Sequence, residues 1–222
     1  MSLTTSQFNA SRRPRWVLPV IVGTAVIAVL ALITILIARP DPVSAPTPPP
    51  SGAVTGPDTN ALPGKLEWKL IDGVRLPFSK VDGPARVSGP IASGYSHTPQ
   101  GAVVAAWQIS TRLAASADYE QVMAAQVRGT EADRTQVRQE VARVRNLTAD
   151  QFSQRFTAPA GFQIVHYSDV FVQMYFATQS PTGGYDFTAR AVLWDGKDWQ
   201  YQLVSGLPSL PNSTSIADFT VF

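Results

Sequence analysis

The 222-residue sequence contains no cysteine. Disulfide bridges, thiol catalysis and cysteine-ligated zinc are excluded, and packing alone must hold the fold. Histidine is nearly as scarce, with only His97 and His166. Neither belongs to an HExxH or comparable ligand series, so no metal centre is expected. No GxSxG elbow, Walker phosphate loop or dinucleotide fingerprint occurs. The nearest approach to a carboxylate pair is Asp169 with Asp186 or Asp198, and acids beside turns ordinarily cap backbone amides or face water. No catalytic residue set is assigned, no cofactor is expected, and the chain is not expected to be an enzyme.

Charge is also thin, at 15% of residues against about 25% in an average globular domain. Of the 18 basic side chains, Arg12, Arg13, Arg15 and Arg39 lie at or before residue 39, and none of the 16 acids does. Residues 40–222 therefore carry 14 basic (18 less 4) against 16 acidic side chains. The formal charge of +2 belongs to the N-terminus, and nucleic acid is not an expected partner.

What the chain does have is one long apolar run. Trp16 to Ala38 is 23 residues without a charge, enough at about 1.5 Å per residue to cross a hydrocarbon core of roughly 30 Å. Three arginines precede it, and only Arg39, offset by Asp41, follows closely. That asymmetry predicts a single transmembrane helix at 16–38 in the cell membrane, a cytoplasmic tail at 1–15 and an extracytoplasmic remainder. A cleaved signal peptide is the competing reading, but its apolar segment is about 7 to 15 residues and ends in a small-x-small site. Residues 39–60 hold seven prolines among Ser, Thr, Gly and Ala, the composition of an extended spacer.

Residues 61–222 are long enough for one domain with its own core. Leu66, Trp68 and Leu70 alternate with charged residues as in a half-buried strand, and Asp72-Gly73 supplies a turn. Val74, Leu76 and Phe78 follow on alternate positions, with Pro77 indicating an edge. The Gly- and Pro-rich stretch 80–95 is expected to wrap the outside. Thr98-Pro99 begins the clearest helix, with Ala102, Val103, Ala106, Ile109, Ser110 and Leu113 as its buried stripe. Asp118 is a second candidate cap, leading a shorter helix. A third helix is expected from Glu131 to Arg145, with Val137, Val141 and Val144 on one face. Its arginines Arg134, Arg138 and Arg145 form a candidate basic contact face, and ion pairing within a solvated surface is the simpler account.

The remainder alternates as antiparallel sheet: 162–167, 170–177, 185–194 and a return strand from Trp199 after the loop Asp195 to Asp198. Phe171, Tyr175, Tyr185, Phe187 and Trp199 line either an apolar cavity or the ordinary core. Ile216, Phe219, Val221 and Phe222 are candidates to dock onto the domain or a partner. Asn146-Leu-Thr148 and Asn212-Ser-Thr214 match the glycosylation triplet, a weak signal.

Two stretches carry a resemblance. Gly94-Tyr-Ser-His-Thr-Pro-Gln-Gly-Ala-Val-Val-Ala-Ala106 and Ala191-Val-Leu-Trp-Asp-Gly-Lys-Asp-Trp199 resemble segments of small membrane-anchored proteins of actinobacterial mobile elements. The order of anchor, spacer, helices and sheet is similar to the VirB8-like transfer proteins. That resemblance implies an α+β fold of the NTF2-like cone type, with about three helices on a curved antiparallel sheet. It implies a non-catalytic scaffold or assembly subunit of a conjugation-type apparatus, with protein partners or self-association. An extracytoplasmic module binding a small ligand or peptide is the alternative.

Overall fold

The chain divides into two units, Met1–Val54 and Thr55–Phe222. The computed structural model describes residues 56–204 and 206–222, all within the second. The expected tail at 1–15, the anchor at 16–38 and most of the linker lie outside the described residues. Among the described residues no helix is long and apolar enough to cross a membrane. The last linker residues are tied to the domain: Gln100 donates to the carbonyls of Asp58 and Ala61 at 2.7 and 3.1 Å, and Thr220 donates to that of Asn60 at 3.0 Å.

The described residues form an α+β fold. β1 (Leu66–Ile71) and β2 (Val74–Ser79) make an antiparallel hairpin. Asp72 and Gly73 both have positive φ, 51° and 80°, as the favoured two-residue hairpin turn requires. Pro77 lies opposite Trp68 in this two-stranded sheet, where its missing donor interrupts no further strand. β3 (Arg86–Ser88) and β4 (Ile91–Ser93) form a second hairpin. β3 lies outside as expected, but Ala92 and Tyr95 are core residues, so the stretch 80–95 does more than wrap the surface.

α1 (Pro99–Ala115) starts as its sequence indicates. Pro99 occupies its first turn, and the Thr98 hydroxyl accepts the amide of Gly101 at 3.0 Å. The expected stripe is buried, and so are Trp107, Gln108 and Arg112 on other faces. The helix is enclosed because the two hairpins cover sides that the main sheet leaves open. Their irregular strands leave carbonyls that polar side chains of α1 must meet: Trp107 donates to Arg75, Gln108 to Pro77 and Arg112 to Pro90.

α2 (Tyr119–Gln126) follows, but Asp118 makes no capping bond from its side chain, contrary to expectation. α3 (Glu131–Val144) and α4 (Ala149–Arg155) each begin with a capping box, Thr130 with Asp133 and Thr148 with Gln151. Val141 and Val144 of the expected α3 face are buried, and Val137 is partly so.

The main sheet has the order β10-β6-β7-β8-β9-β5. Its strands are β5 (Val127–Arg128), β6 (Gly161–Tyr167), β7 (Phe171–Gln179), β8 (Tyr185–Trp194), β9 (Trp199–Gln202) and β10 (Thr220–Val221). All neighbours are antiparallel except β5 and β9. One face carries Phe162, Met174, Phe176, Val192 and Trp199 into the core against α1. The other carries Tyr175, Ala177 and Ala191, also buried, under the C-terminal segment. There the Tyr175 hydroxyl donates to the carbonyl of Pro208 at 2.8 Å, and Phe219 meets Phe187 at 5.1 Å between ring centroids. β10 then pairs with β6, and Phe222 reaches the core face beside Trp68 and Phe162, at 5.4 and 5.2 Å.

Candidate functional site

The motif at Gly94 to Gly101 is built for position. Gly94 has φ of 80°, and a Cβ there would lie 2.9 Å from the Ala85 Cβ; one on Gly101 would lie 2.0 Å from the Ser96 carbonyl. Only glycine fits either place. The Asp198 carboxylate accepts the amides of Gly94 and Tyr95 at 2.6 and 3.1 Å. Asp82 is bound from the other side by the hydroxyls of Ser79 and Ser96 at 3.2 and 2.9 Å. Asp198 is thus a bracket for a helix start.

His97 is exposed and stacks on Trp194, with centroids 4.0 Å apart and planes 9° from parallel. Its Nε2 donates to the carbonyl of Asp169. His166 lies elsewhere, with its ring 5.8 Å from that of Phe171. The two histidines share no site, and among the described residues no cluster suited to a metal ion occurs.

The candidate aromatic lining is not gathered in one cavity. Phe171, Tyr175, Tyr185 and Phe187 lie on the sheet face away from α1, as their cross-strand register with Leu193, Ala189, Gln179 and Ala177 requires. Trp199 lies on the α1 face, fully buried, and donates its indole N–H to the carbonyl of Ser96. Tyr175 is buried beneath the C-terminal segment, while the other three are half-buried.

The three arginines of the candidate basic face are all engaged within the domain. Arg134 donates to the carbonyls of Val127 and Met123 at 3.0 and 3.4 Å. Arg138 pairs with Glu120 and Glu131 at 3.0 and 2.8 Å. Arg145 donates to the carbonyl of Ala117 at 2.9 Å and lies over the Tyr119 ring. Together they fasten α3 to α2 and its flanks. The Arg138 contact, and after it a hydrogen bond with Tyr119, holds the Glu120 carboxyl below its usual range.

A groove of about 520 Å³, open to solvent, lies elsewhere. Gln136, Val137 and Glu140 of α3 form one wall, Leu207 and Pro208 of the C-terminal segment another, and Phe187 to Ala189 of β8 run along it. β9 pairs with β8 only from Ala191 to Trp194, and farther along the same edge the only partner among the described residues is Ser213 at Tyr185. Sequence reasoning did not find this site. Its available signal is the run Gly206-Leu-Pro-Ser-Leu-Pro211, since prolines there cannot continue a strand beside β8.

A family model described as Domain of unknown function (DUF8175) matches residues 37–221. No curated protein and no solved structure matches the chain.

Proposed function

We propose that this chain, which belongs to the DUF8175 family, is a single-pass membrane protein whose extracytoplasmic domain makes protein contacts. In this reading residues 16–38 anchor it in the bilayer, the tail at 1–15 is cytoplasmic and the Pro-rich spacer at 39–60 carries the domain at 61–222. The domain is a non-catalytic scaffold or assembly subunit of an envelope-spanning, conjugation-type apparatus, with an NTF2-like arrangement of helices on a sheet. The charge-free run, the arginines before it and the resemblance to VirB8-like proteins support the anchor and the setting.

The observation that carries the contact role is where the domain is filled and where it is open. The space between α1 and the sheet is occupied by Trp107, Met174, Phe176 and Trp199, all buried, and the groove lies outside that core. A wide groove walled by a helix and floored by a strand edge suits a polypeptide better than an enclosed small molecule. The second reading, an extracytoplasmic module that binds a small ligand, rests on the volume of the same groove.

Crosslinking in intact host membranes tests the proposal, with solubilisation, identification of captured proteins and an anchorless form as control. Recovery of neighbouring envelope proteins or of the chain itself, dependent on residues 16–38, is the expected result. Absence of both, with a small molecule copurifying with the anchorless form, refutes it in favour of the second reading.

A further inference from the structure

The edge of β8 in the groove has a definite hydrogen-bonding polarity. Tyr185 and Ser213 exchange both amide bonds, at 2.7 and 3.2 Å, and Asp195 donates to the carbonyl of Asp198 at 3.2 Å. In an antiparallel strand successive residues direct their backbone groups to opposite sides. Residues of the same parity as Tyr185 and Asp195 therefore aim their N–H and C=O groups away from β7. Phe187 and Ala189 are two of these, and among the described residues no strand pairs with them on that side. The gap exists because β9 pairs with β8 no farther than Gln202, so no β9 strand residue comes opposite Ala189. An edge whose four outward backbone groups have no partner among the described residues, set beside a helix, is the template on which an extended peptide adds as a strand.

The wall selects among peptides. The charged side chains lining the groove are Asp133 and Glu140, both acidic. Glu140 is bridged by Arg143 and Arg155, and Asp133 accepts from Thr130, so the charges of the wall are matched within the domain. Val137, Tyr201 and Leu207 supply apolar surface.

We infer that this groove binds an extended segment of a partner protein, with alternate apolar residues, which adds to β8 at Phe187 and Ala189. The inference rests on the protein-contact reading and names the chemistry of the contact. A second copy of the chain is the competing occupant.

The test uses the full chain in lipid nanodiscs and a phage-displayed random heptapeptide library. Recovered peptides are expected to alternate apolar residues. The strongest is then resynthesised with N-methyl groups on residues of one parity or the other. Methylation on the parity facing β8 is expected to weaken binding roughly tenfold per hydrogen bond lost, and on the other parity far less. Ala189→Pro removes one outward N–H without touching the β7 ladder and is expected to abolish binding. Gln136→Trp, at an exposed helix position, fills the groove and is a second variant should the first fail to fold. Equal tolerance of both methylation patterns, or undiminished binding by Gln136→Trp, overturns the inference. So does recovery only of peptides matching this chain, accompanied by dimers, which makes a second copy the occupant. If no peptide is recovered while crosslinking in membranes still yields partners, the groove inference falls and the protein-contact reading stands.

Discussion

Trp199 donates its indole N–H to the backbone carbonyl of Ser96 at 2.9 Å, joining the β8–β9 hairpin to the start of α1. Asp198 beside it holds the amides of Gly94 and Tyr95, so the two stretches that carry the family resemblance are in direct contact. Hydrogen bonds to a charged acceptor are worth about 1.5–3 kcal/mol each. Asp198→Ala is expected to cost roughly 2–4 kcal/mol in total, and Asp198→Asn, which keeps one acceptor, about half of that. Denaturant unfolding of the full chain in mild detergent measures both. A loss below about 0.5 kcal/mol for Asp198→Ala, the range of an unremarkable surface change, contradicts the bracket.

Tyr95 is buried, and among the described residues its hydroxyl has no partner. Burial holds the phenol protonated well above its ordinary range, with nearby Arg112 opposing and Asp198 adding to the effect. The folded-state pKa is raised, so this group's contribution to stability is full below about pH 10 and is lost as pH rises through the folded value. Tyr95→Phe removes that alkaline slope. At neutral pH it is expected to be neutral or to gain about 1 kcal/mol, since an unpaired hydroxyl leaves the interior. Thermal melts of both proteins between pH 7 and 11 check the two effects together.

Glu120 gives the opposite sign. Its folded pKa is depressed, first by the hydrogen bond from Arg138. The stability it contributes is present above the unfolded value of about 4.3 and is lost as pH falls through the folded one. Both side chains are substantially exposed, so the effect is small and local. Amide exchange across Tyr119 to Gln126, corrected for intrinsic rates, is expected to quicken in acid in the wild type. Glu120→Gln is expected to show quicker exchange already at neutral pH and little further change.

Phe222 packs on Trp68, Phe162 and Phe176. Phe222→Ala is expected to destabilise the domain by roughly 2–4 kcal/mol, the lower part of the range for a core aromatic because the ring is only partly buried. A neutral result means that the C-terminal segment is not anchored on the core face.

Much of this fold was legible wherever one physical rule acted alone. Thr98-Pro99 marked a helix start, Asp72-Gly73 a hairpin turn, and period-two alternation marked β1, β2, β7, β8 and β9. Tertiary context decided the rest. α4 was missed although Thr148 and Gln151 spell a capping box, because seven residues give no hydrophobic period. β5 and β10 have two residues each, too few for a pattern, and exist only by pairing. The bond from Arg138 to Glu120 was not legible because Glu120 lies on another helix. The face of Tyr175 and Phe187 could not be assigned from alternation, which separates two faces without saying which meets α1; both are covered here, one by the C-terminal segment. The groove depends on where β9 departs from β8, and the local sign of that departure, Pro208 and Pro211, comes several residues after it.

The most direct measurement is site-specific photocrosslinking of the full-length chain in living host cells. A photoreactive residue replaces Gln136 at the groove wall in one strain and Leu70, exposed on β1, in another. The account predicts a discrete protein adduct from position 136, mapped by mass spectrometry to one extended segment of an envelope protein, and none from position 70. No adduct from position 136, or the same adducts from both positions, contradicts a domain that meets its partner through this groove.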